Sequence, residues 1–125
     1  MSYEFIGSER LKGFMNGIAK NTNQAYTIHT EFPHQLSRNI DMFGDVVFIG
    51  SPSQICDRQD YWDLVNSIGR HDQFCAAVLR DGYSLPRQNE SIDCIVRSGS
   101  RDKNTHVPFD VMADKLNRFF KSMRS

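Results

Sequence analysis

Asp45-Val46-Val47-Phe48-Ile49-Gly50-Ser51-Pro52-Ser53-Gln54 is the stretch that most limits what this chain can fold into. Val46 to Ile49 is an unbroken apolar run of β-branched and aromatic residues, which reads as a buried strand. Gly50-Ser51-Pro52-Ser53 stops it, and an amphipathic segment from Asp57 to Gly69 follows. In that segment Tyr61, Leu64, Val65 and Ile68 fall on one helical stripe. Asp57 suits the N-cap, Asp60 the first turn, and Gly69 the stop. The rest of the chain must cover this strand.

The covering elements are read from periodicity. Tyr3 to Ile6 reads as a short strand ending at Gly7, and Ser8 as a cap for the helix behind it. Leu11, Phe14, Met15, Ile18 and Ala19 then share one helix face. Gly13 and Gly17 lie four apart on a neighbouring face, where each costs about 1 kcal/mol relative to Ala. That expense points to the close approach of another backbone or to a partner. Tyr26 and Ile28 alternate with Thr27 and His29, a half-exposed strand stopped by Pro33. Residues 33–44 read as a connection with a helical turn near Gln35–Asn39.

Phe74 to Leu79 is apolar throughout and predicts a central strand covered on both faces. Asp81-Gly82 reads as a turn, residues 83–90 as an exposed loop, and Ile92 to Arg97 as the returning strand of a hairpin. Ser98 to Val107 is a polar loop. Phe109, Met112, Ala113, Leu116, Phe119, Phe120 and Met123 keep helical spacing to the end, with Pro108 in the first turn.

The expected order is β-α-β-β-α-β-β-α. It predicts a single α+β domain over residues 1–125, with a mainly antiparallel sheet and helices on one face. The arrangement is either a ferredoxin-like βαββαβ or tandem αββ units, closed by a C-terminal amphipathic helix. A chain of 125 residues is long enough for a core without metal or disulfide staples.

Composition narrows the function classes. The chain carries 15 basic and 15 acidic residues, a formal charge of zero, which opposes strong non-specific binding to nucleic acid or anionic membrane. The balance is uneven: residues 1–96 hold 8 Lys/Arg and 12 Asp/Glu, and residues 97–125 hold 7 and 3. Three cysteines at unrelated spacings (Cys56, Cys75, Cys94) do not form a disulfide framework and fit a reducing cytoplasm. Neither a signal peptide nor a membrane span is expected.

Motifs exclude more than they assign. The loop at Gly50–Ser53 could cradle an anion, with Ser51, Ser53 and Cys56 as the candidate ligand-binding residues. It lacks the second Gly and the Lys of a P-loop, no G-x-G-x-x-G is present, and Pro52 removes a donor. Cys75 to Arg80 is one residue short of the C-x5-R phosphate loop. With no C-x2-C and no H-E-x-x-H, no metal is expected, and no cofactor or catalytic residue is assigned. Candidate partner-binding residues are Arg87, Arg97, Arg101 and Lys103 in the basic loops, and Phe119 and Phe120 on the last helix. The expected function is a small intracellular binding protein, an adaptor, inhibitor or regulatory subunit, that meets a protein partner or a second copy of itself. One alternative is a nucleic-acid-binding module using the basic loops of residues 80–103. The other is a small enzyme or ligand-binding protein built on the strand-loop-helix at 45–69.

Overall fold

The run at 45–50 is a strand as expected, and it lies at the centre of a sheet. The computed structural model describes residues 2–31, 33–50, 59–70, 73–79, 92–97 and 108–124. In chain order these form β1 (Ser2–Ile6), a 3₁₀ turn (Glu9–Leu11) leading into α1 (Lys12–Asn21), and β2 (Ala25–His29). Next come α2 (Pro33–Leu36) with a second 3₁₀ stretch (Ser37–Met42), β3 (Asp45–Gly50) and α3 (Gln59–Arg70). The chain then forms β4 (Cys75–Leu79), β5 (Cys94–Arg97) and α4 (Phe109–Arg124).

The sheet order is β2-β1-β3-β4-β5, and every neighbouring pair is parallel. This overturns the mainly antiparallel sheet, and with it both the ferredoxin-like and the tandem αββ arrangements. The reason lies in the connections. Residues 33–44 read as a mere link, yet α2 and its 3₁₀ stretch make them a crossover, so β2 and β3 run the same way. The 14 residues between Leu79 and Cys94 likewise suffice for a parallel return, which needs about a dozen. The expected hairpin is therefore absent, because β5 runs parallel to β4.

The helices also occupy both faces rather than one. Tyr3, Phe5, Val47, Ala76, Val78 and Val96 face α1 and α4, packing on Met15, Ile18, Met112, Leu116 and Phe120. Ile6, Val46, Phe48, Cys75 and Ala77 face the other way, onto Leu36, Ile40 and the Leu64, Val65 and Ile68 stripe of α3. Strand side chains alternate between faces, so a parallel strand clad on both sides is apolar at every position. β4 is buried along its whole length. Each fully buried large side chain contributes about 1.5–3 kcal/mol.

Polar side chains tie these layers together. The Tyr3 hydroxyl donates to Asn117 Oδ1 at 2.6 Å, and Asn117 Nδ2 donates to the Thr22 carbonyl at 3.1 Å, joining β1, α4 and the end of α1. Gln73 Nε2 donates to the Ile40 and Phe43 carbonyls at 2.8 and 2.7 Å, satisfying the end of the second 3₁₀ stretch. The Gly17 expense has a physical cause: a Cβ there would sit 2.5 Å from the Phe109 ring. Gly13 has no such neighbour within 4 Å. Helix α3 continues through the expected stop at Gly69 to Arg70.

Candidate functional site

The strand order reverses between β1 and β3. From β1 the chain turns to α1 on one face, and α3, which follows β3, lies on the other. Connections that diverge this way leave a crevice beyond the strand ends, and open parallel sheets place ligands there. The described residues at this point are Gly7 and Ser8 past the end of β1 and Gly50 at the end of β3.

Ser8 does not act as the cap expected of it. It occupies the N-cap position of the Glu9–Leu11 turn in an extended conformation, yet its side chain makes no capping hydrogen bond. Its Oγ is buried and has no partner among the described residues. The Ser8 carbonyl accepts from the Leu11 N–H at 3.0 Å, which fixes the turn. Gly7 is buried, and its N–H donates to the His29 carbonyl at 3.1 Å, which holds the end of β1 against β2.

A second polar cluster lies next to this one, on the face of β1 and β2 that carries Ile6. Glu4 is nearly buried there, with Oε1 3.8 Å from His29 Nε2. Glu31 Oε2 lies 3.8 Å from the other ring nitrogen, Nδ1. The His29 ring stacks on Phe43, with centroids 4.7 Å apart. Burial raises the Glu4 carboxyl above its usual range; the His29 ring and the Thr27 hydroxyl pull the other way. Because the two carboxylates lie on opposite ring nitrogens, they cannot join His29 around one metal ion. No group of three or more His, Cys, Asp or Glu side chains suited to a metal occurs among the described residues.

Most of the residues singled out from sequence lie outside the described residues. Ser51, Ser53 and Cys56 lie outside the described residues, as do Arg87, Arg101 and Lys103. Arg97 ends β5, and its side chain is likewise outside the described part. Phe120 is fully buried, 5.0 Å from the Tyr3 ring centroid, so it belongs to the core rather than to a partner-facing surface. Phe119 is half-buried against the same core. The Cys75 thiol is buried and held well above the usual thiol range, first by desolvation and then by the Asp93 carboxylate. Cys94 is raised by the same two causes, with Lys115 opposing. Neither is poised as a nucleophile, since the thiolate is the reactive form.

Sequence reasoning missed Glu4, His29 and Phe43 as a group. One signal was there: a carboxylate inside the apolar run Tyr3-Glu4-Phe5-Ile6. No protein-family model and no curated protein matches this sequence. The site therefore rests on its own geometry. Among the described residues, no helix is long and apolar enough to cross a membrane.

Proposed function

We propose that this chain is a small ligand-binding domain whose ligand seats in the crevice beyond the carboxyl ends of β1 and β3. The observation that carries the reading is the reversal of strand order at that point. This is the second of the two alternatives read from sequence, now centred on β1 as much as on the strand-loop-helix at 45–69. The buried Ser8 hydroxyl supports it, because a buried hydroxyl normally finds a partner. A ligand oxygen or nitrogen at the crevice would supply one. The ligand class is a small polar molecule, and no catalytic step is assigned to it.

The test is a thermal-shift screen of nucleotides, sugar phosphates and small carboxylates, followed by amide chemical-shift mapping of any hit. The expected hit perturbs Gly7, Ser8 and Gly50 and loses about tenfold in affinity in Ser8→Ala, as deletion of one hydrogen bond implies. A hit that maps to α4 or to the β5 edge, and ignores Ser8→Ala, would overturn the reading.

The reading of an adaptor or subunit keeps one specific support. Val111, on the face of α4 opposite the buried Met112, Leu116 and Phe120, is 41% exposed beside Lys115. A partner or a second copy covering that face of α4 would explain it. Light scattering across a concentration series tests the second copy, and a monomer throughout removes it.

A further inference from the structure

His29 faces a carboxylate across each ring nitrogen: Glu4 of β1 on Nε2 and Glu31, just past β2, on Nδ1, both at 3.8 Å. The two arms differ in solvation. The Glu4 side chain is 12% exposed and the Glu31 side chain 55%. A neutral imidazole carries one N–H and so can satisfy one carboxylate; an imidazolium carries two and satisfies both. We propose that His29 is a proton-operated clamp, which holds Glu4 and Glu31 together when charged and keeps only Glu4 when neutral.

The neutral ring has a reason to choose Glu4. Among the described residues, Glu4 Oε2 and His29 Nε2 are both buried without a hydrogen-bond partner, and a buried polar group has no water to fall back on. Glu31 can return to solvent. With the proton on Nε2, the Nδ1 lone pair faces the Glu31 carboxylate and repels it. The ring itself is pinned, since it stacks on Phe43 and its backbone carbonyl accepts from Gly7. What moves is therefore the start of the β2–α2 connection.

Among the described residues, the other groups around the ring do not compete. From β2 the neighbour of Glu4 is the Thr27 hydroxyl, and from the end of the second 3₁₀ stretch it is the uncharged Phe43. Asp45 of β3 belongs to the opposite face, in step with Val47. Burial raises the Glu4 carboxyl, so the buried arm is the first to lose its charge as acid is added. The clamp is therefore closed on both arms only while Glu4 is ionised and the ring is charged. Opening it frees the segment after β2, beside the β1 end that lines the proposed crevice, though the clamp does not depend on any ligand.

The experiment is a double-mutant cycle of Glu31→Gln and His29→Gln, read by thermal melting from about pH 3 to about pH 9. Glu31→Gln is expected to lower Tm by about 1–4 °C near pH 6, the size of a largely exposed ion pair. That deficit is expected to vanish at pH 9, and to vanish at every pH in the His29→Gln background. Nitrogen-15 spectra of the ring give a second readout that does not rely on stability. The expected neutral form is protonated on Nε2, and the acid form on both nitrogens. A deficit constant with pH, a deficit that survives His29→Gln, or a neutral ring protonated on Nδ1 would each overturn the clamp.

Discussion

Glu4 is the residue at which the sheet accepts a cost. Its carboxyl is raised by burial, so the folded state is favoured while Glu4 keeps its proton and loses that advantage as pH rises through the raised value. Glu4→Gln removes the ionisation while keeping the shape. The variant is expected to melt above the wild type near pH 7, and the difference to shrink to nothing near pH 4, where the unfolded carboxyl is protonated as well. A variant that melts lower at pH 7 would mean that attraction to His29 outweighs desolvation. This position was half legible in the sequence. A lone acid in an apolar strand marks a buried carboxylate, but its partners could not be named. Register brings Glu4 opposite Thr27 and Ile6 opposite His29, and local sequence does not contain register.

At the scale of elements, helix α1 separates two glycines that look alike in sequence. Gly13 faces open space, and Gly17 faces the Phe109 ring, which also packs edge-on against Phe14 at 5.7 Å. Gly13→Ala is expected to stabilise by about 0.5–1 kcal/mol through helix propensity alone. Gly17→Ala is expected to be less favourable than Gly13→Ala by about 1 kcal/mol or more, because its methyl group forces the Phe109 ring to shift. Urea unfolding checks both, and Gly17→Ala in a Phe109→Ala background should recover most of the difference. Elements themselves were largely legible, because their signals are local. The apolar run of β4, the stripes of α1, α3 and α4, and the alternation of β2 all belong to single segments. Strand direction was not legible, since it depends on whether a connection returns or crosses over. Residues 33–42 hide a crossover in one short helix and a 3₁₀ stretch, neither long enough to show a stripe.

For the whole molecule, the chain's two ends share one core. Tyr3 packs on Phe120 and donates to Asn117, and Asn117 reaches Thr22. Asn117→Ala is expected to cost about 1–3 kcal/mol by breaking the link between three elements. Its effect should be coupled to Tyr3→Phe by about 0.5 kcal/mol or more in a denaturation cycle, as residues in one network are. Simple additivity would show that the network holds nothing that packing does not. The candidate crevice was visible in sequence only as its β3 half. Its β1 half became apparent once strand order placed Gly7 and Ser8 beside Gly50, a relation between segments some forty residues apart.

The parallel order carries one more consequence, for synthesis. β1 stands between β2 and β3, and its Tyr3 and Phe5 face is closed only when α4 joins α1 over it. Tyr3 and Asn117 are separated by 114 positions. A nascent chain must therefore carry an aromatic face covered by α1 alone until residues near 120 emerge, and pairings of such long range form slowly. A chain without α4 is the form exposed to aggregation, and the docking of α4 ends that exposure.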